Sequence, residues 1–136
     1  MLEVIYEELK QECKRWGDKD YNGIVFVHPE DKKFLVRHLL MEYNLTSVNN
    51  YKFKLHSGGA LQVSTLDIGK SPYFDYMGCE FTTIIISKEA FGKYTEDYNF
   101  ILVNEDLCKG NIPDFYMYML TRNRSQSKCH SKMIIV

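Results

Sequence analysis

Three stretches of this chain carry residue types that could do phosphate chemistry. Gly69-Lys70-Ser71 matches the end of a phosphate-binding loop, G-x-x-x-x-G-K-[ST]. In such a loop backbone N–H groups and a helix N-terminus hold the phosphates. Lys70 and Ser71 would then be nucleotide-binding residues. Ser64 stands where that loop has its first glycine, and Pro72 removes an N–H donor from the turn that follows. A plain loop carrying these residues by chance is the competing reading. The second stretch is Phe100-Ile101-Leu102-Val103, which runs into Asn104-Glu105-Asp106. A nucleotide hydrolase holds magnesium with an Asp at the tip of such a strand, and the next Glu orients the attacking water. Asn104 takes the Asp place here, and an uncharged amide holds magnesium poorly. Glu105 keeps the carboxylate of a catalytic base. A buried strand ending in a polar turn explains the same residues. The third stretch is Leu120 to Ser125, where Arg122 and Arg124 could reach phosphates from a helix end. The alternative is a basic last turn favoured by the helix dipole.

Other chemistries find less support. Cys13, Cys79, Cys108 and Cys129 form no C-x-x-C pair, and the four histidines do not fall at zinc spacing with them. The cysteines read as reduced thiols in a cytosolic protein, and no metal site is expected. His38 reads as a partly buried helix residue. A net charge of −1 provides no long-range field for nucleic acid. A local basic segment, Arg122, Arg124, Lys128, His130 and Lys132, leaves DNA contact open. Acids at the N-terminus exclude a signal peptide, and no apolar run suits a membrane span. The expected setting is the cytoplasm of a bacterium or an infected cell.

The elements that must position these residues alternate between helix and strand. Leu2, Ile5, Leu9, Cys13 and Trp16 recur at helical spacing, with Gly17 ending the helix. Asp18 to Gly23 is a polar turn. Ile24 to Val27 is an apolar run expected of a strand buried on both faces. His28-Pro29-Glu30-Asp31 opens a second helix that continues to about Tyr43. Tyr51 to Leu55 and Leu61 to Thr65 alternate with period two around His56-Ser57-Gly58-Gly59, the pattern of a hairpin. Asp67 to Gly78 reads as a loop, Phe81 to Ile86 as a strand and Lys88 to Asp97 as a short helix. Phe100 to Val103 is a strand, Pro113 to Asn123 a helix, and Met133 to Val136 a strand. The expected fold is a single α/β domain over residues 1–136. Its sheet is mostly parallel and flanked by helices, with an added β-hairpin.

In that order the motifs of Leu55 to Val136 resemble part of the ATPase domain of phage terminase large subunits, the motors of DNA packaging. The hairpin turn is Ser57-Gly58-Gly59-Ala60. The aromatic triplet is Tyr76-Met77-Gly78, followed by Phe81. The arginine signature is Thr121-Arg122-Asn123-Arg124-Ser125, and a basic loop from Ser127 to Lys132 precedes the last strand. The earlier residues fit loosely the strand-helix unit that follows the family's P-loop. The resemblance implies part of a P-loop ATPase core, with ATP and magnesium as cofactors if the activity survives. It gives Arg122 and Glu105 catalytic roles, and Lys70, Ser71, Asn104 and Arg124 nucleotide contacts. Counted forward from Gly78, however, the two acids fall at Ser87 and Lys88; counted back from Arg122, they fall near Asn104 and Glu105. Either way the magnesium-holding Asp is replaced, and no P-loop precedes the hairpin. The expectation is therefore a terminase-like module without autonomous ATP hydrolysis, working with protein partners. The alternative is a viral binding or decoy protein that inhibits a host or competitor factor, with Tyr116 and Tyr118 as candidate contacts. A third reading keeps only an unrelated α/β domain.

Overall fold

The first helix is α-helical for most of its length and tightens before Gly17. In the computed structural model, which describes residues 2–49, 52–65, 79–91, 119–123 and 131–136, α1 spans Leu2–Glu12. Its last turn tightens into a 3-10 helix at Cys13–Gly17. Gly17 closes that turn without a left-handed cap: the Asp18 N–H donates to the Arg15 carbonyl at 3.1 Å, and Asp18 is extended. β1 then runs from Asn22 to Phe26, starting two residues earlier than its apolar run suggests. Asn22 and Gly23 join it because Ala60 and Leu61 pair beside them. α2 spans Pro29–Glu42. Its start was legible in Pro29 and the acids, but the cap is the His28 ring, whose Nδ1 accepts from the Glu30 N–H at 3.1 Å.

The hairpin forms as its alternation requires. β3 (Lys52–Lys54) lies antiparallel to β4 (Ala60–Ser64), and Phe53, Leu61 and Val63 are buried. Gly58 takes φ 102°, a conformation that favours glycine, while the Gly58 N–H donates to the Leu55 carbonyl at 3.0 Å. A two-residue strand, β2 (Thr46–Ser47), pairs antiparallel with β3 and had no signal in the sequence.

β4 also pairs in parallel with β1, so the hairpin delivers its second strand into the parallel core. β5 (Thr83–Ile86) pairs in parallel with the other side of β1, and β6 (Lys132–Ile135) with β5. The described residues thus form one mixed sheet in the order β2-β3-β4-β1-β5-β6. Its four parallel strands follow the chain order 2-1-3-4 of doubly wound folds. α1 and α2 share one face, where Ile5, Leu9, Leu35 and Leu39 pack on Val25, Val63 and Ile85. Ile24, Phe26, Ile84 and Ile86 point to the opposite face and are buried too, as the unbroken apolar runs predict. His38 is half-buried, stacked on Tyr6 with ring centroids 3.9 Å apart. Of the helix expected over Lys88 to Asp97, Lys88–Phe91 forms a 3-10 turn and the rest lies outside the described residues, as does most of the helix expected over Pro113 to Asn123. Residues 119–122 are helical. The loop from Asp67 to Gly78 and the strand from Phe100 to Val103 lie outside the described residues. No helix among the described residues is long and apolar enough to cross a membrane.

Candidate functional site

Doubly wound sheets bind ligands outside the carboxyl ends of their strands, where the strand order reverses. Here the reversal falls between β1 and β5. Their carboxyl ends are tied by the Ser87 N–H, which donates to the Phe26 carbonyl at 2.9 Å, and the Val27 N–H ties β1 to the end of β4 through the Ser64 carbonyl at 3.0 Å. The side chains presented there are His28, Ser87 and Lys88. Ser87 is buried, and its hydroxyl accepts from the Glu89 N–H at 3.2 Å, capping the 3-10 turn. Lys88 is exposed, while its N–H donates to the Val136 carbonyl at 2.7 Å. The adjoining N-terminus of α2 already carries Glu30 and Asp31, whose charges complement its dipole and oppose an incoming anion. No group of His, Cys, Asp and Glu suited to a metal ion occurs among the described residues.

The amino ends of the same strands hold a denser polar cluster. Glu12 is only 2% exposed. Its Oε1 accepts from the Arg15 guanidinium at 2.6 Å, from the Tyr21 hydroxyl at 3.2 Å and from the Thr83 hydroxyl. Arg15 also donates to Thr83 at 3.3 Å. Trp16 Nε1 is buried near the same phenol without closing a hydrogen bond. Burial, and then the neighbouring Glu12 charge, push the Tyr21 phenol above its ordinary range. Glu12 lies between the apolar positions Leu9 and Cys13 of the first helix, yet it is buried. Burial is tolerated because three donors converge on one carboxylate oxygen. The cluster ties α1, β1 and β5 together, and its donors and acceptors face one another.

Of the residues assigned to nucleotide chemistry, Arg122 alone is described. Its Nε donates to the Thr121 hydroxyl at 3.2 Å, and its carbonyl accepts from the Phe81 N–H at 2.7 Å. Asn123 forms a parallel bridge with Phe81, and its side-chain amide reaches the carbonyls of Phe81, Thr82 and Lys132 at 3.0, 3.2 and 3.2 Å. Arg122 and Asn123 are thereby docked at the amino end of β5. At about 3.3 Å per residue, Thr83 at that end is roughly 13 Å from Ser87. Arg122 is not brought together with Ser87 and Lys88. Lys70, Ser71, Asn104, Glu105 and Arg124, and also Tyr116 and Tyr118, lie outside the described residues. Of the basic segment, Lys132 approaches Glu8 at 4.0 Å.

A groove of about 470 Å³ runs along the outer side of α2. Two i, i+4 rows line it, Lys32-Val36-Leu40 and Lys33-Arg37-Met41. Phe34, Leu35, His38, Leu39 and Met41 follow one apolar pattern along this helix, but only Leu35 and Leu39 of these are buried, while Met41 is left at the groove.

No protein-family model matches the sequence, and no curated protein matches it.

Proposed function

We propose that this chain is a terminase-like ATPase-domain module of phage origin that does not hydrolyse ATP by itself. The carboxyl end of β5 carries the reading. Counted forward from Gly78, the family's two acids correspond to Ser87 and Lys88, the residues that follow this buried parallel strand. Ser87 spends its hydroxyl on the Glu89 N–H. Lys88 puts an ammonium where a general base would be needed. A strand tipped in this way offers no carboxylate pair to hold magnesium and orient water, which are the central tasks in phosphoryl transfer. The placement of Arg122 at the far end of β5 supports the same reading. DNA packaging remains the proposed setting, with protein partners and with the basic C-terminal segment as a DNA contact.

The test is calorimetric titration of the purified chain with ATP and magnesium, run beside an assay of released phosphate. The expected result is no turnover. Saturable ATP binding without turnover, lost in Lys70→Ala, would place nucleotide at Gly69-Lys70-Ser71 and keep the module reading. Magnesium-dependent turnover lost in Glu105→Gln would overturn the proposal and make Phe100 to Val103 the catalytic strand.

A further inference from the structure

We infer that the outer face of α2 is a docking surface for an acidic amphipathic segment of a partner protein. The buried face of this helix is complete, with Leu35 and Leu39 fully enclosed. Yet Phe34 is 46%, Leu40 40% and Met41 76% exposed on the same helix. Apolar residues gathered along a groove mark an interaction surface more often than scattered ones do. Unbranched Met41 adapts to different partner surfaces.

The charges in the groove select the partner. Among the described residues Lys32, Lys33 and Arg37 line it, and no acid does. Lys33 and Arg37 are like-charged neighbours at i, i+4, a spacing that weakens a helix. No carboxylate among the described residues is in ion-pair range of either. The Lys33 ammonium instead lies over the Phe34 ring, 5.1 Å from its centroid. Carboxylates from a partner would relieve this repulsion. The two kinds of residue lie side by side along the groove: Lys33 and Arg37 share one row with Met41, and Lys32 begins the row that continues with Val36 and Leu40. A helical segment with apolar residues at i, i+3, i+4 and i+7 flanked by acids meets both. Nucleic acid would use the three cations but leave the aliphatic part of the groove without a counterpart. This surface stands whether or not the chain binds ATP.

The test uses fluorescence anisotropy with a labelled synthetic amphipathic peptide carrying Leu along one stripe and Glu on the flanking positions. The comparison probes are the same peptide with Lys replacing Glu, and a single-stranded oligonucleotide. The acidic peptide is expected to bind saturably and to weaken with salt. Leu40→Ala with Met41→Ala should weaken it about tenfold or more. Lys33→Glu with Arg37→Glu should reverse the preference toward the Lys peptide. Circular dichroism checks that each variant is folded, which the exposure of these side chains favours. Equal binding of both peptides by the natural chain, binding of neither, or binding of the oligonucleotide in their place would overturn the inference. So would a dimer in sedimentation that Met41→Glu dissolves, because the occupant would then be a second copy.

Discussion

The Thr83 hydroxyl donates to the buried Glu12 carboxylate, joining the end of α1 to the start of β5 across a separation of 71 residues. The Arg15 guanidinium closes the triangle on both. A buried carboxylate with three donors is stable only while they remain, since an unpaired charge in that place meets the full desolvation cost.

Glu12→Ala should therefore destabilise the fold by about 2 kcal/mol or more, and Thr83→Val by about 1 kcal/mol. Because the two side chains bond each other, the double variant should lose less than the sum of the two. Urea denaturation of the four proteins measures this coupling. Strict additivity would mean that the bond contributes nothing.

The Tyr21 phenol has a raised pKa in the folded chain, so its folded form holds the proton when the unfolded form has begun to lose it. The stability this represents is fully present below the unfolded value of 10.0 and is lost as pH rises beyond it. Denaturation midpoints of the natural chain should fall above that pH. Tyr21→Phe should fall less steeply, because among the described residues only Tyr6 and Tyr43 then remain as shifted phenols. Parallel slopes for the two proteins would contradict the assignment.

Gly59 and Gly17 offer a matched pair. A Cβ on Gly59 would stand 2.5 Å from the Tyr21 carbonyl oxygen, which accepts from the Ala60 N–H at 3.0 Å and so helps hold β4 to β1. Gly59→Ala should cost about 2 kcal/mol through that clash. Gly17 has nothing within 4 Å of an added Cβ. Its replacement by Ala should be neutral or stabilise the fold by about 0.5 kcal/mol. Thermal melts of both variants read the contrast directly.

Within the arginine signature, the structure assigns the architectural role to Asn123. Its amide donates toward three carbonyls at the junction of β5, β6 and the helical residues 119–122. Asn123→Asp turns a donor into an acceptor facing oxygens and should cost about 2 kcal/mol or more. Arg122→Ala, which removes a partly exposed side chain, should cost less than about 1 kcal/mol. If Arg122→Ala proved the more damaging in chemical denaturation, the weight of this motif would lie on the guanidinium.

Local patterns made much of the fold legible. The continuous apolar runs of Ile24 to Val27 and Phe81 to Ile86 required strands covered on both faces, and those strands are central. The alternation around Gly58 required a hairpin, since period two with a glycine turn admits little else. Pro29 and its acids marked the start of α2. The candidate surfaces were less legible. Met41 and Leu40 look like ordinary members of an apolar helix until Leu35 and Leu39 are seen to fill the core without them.

By itself the sequence determined the type of α1, β1, α2 and the β3–β4 hairpin, because periodicity and turn chemistry act between near neighbours; the two-residue β2 left no such trace. Tertiary structure alone decided the rest. It placed β4 beside β1, with antiparallel and parallel partners on its two edges. It buried Glu12 by bringing Thr83 and Tyr21 to it, and it carried Arg122 to the amino end of β5, away from Ser87. Those outcomes arise from strand pairing and packing between residues far apart in the chain, where one neighbour's identity sets another's environment and no local pattern records it.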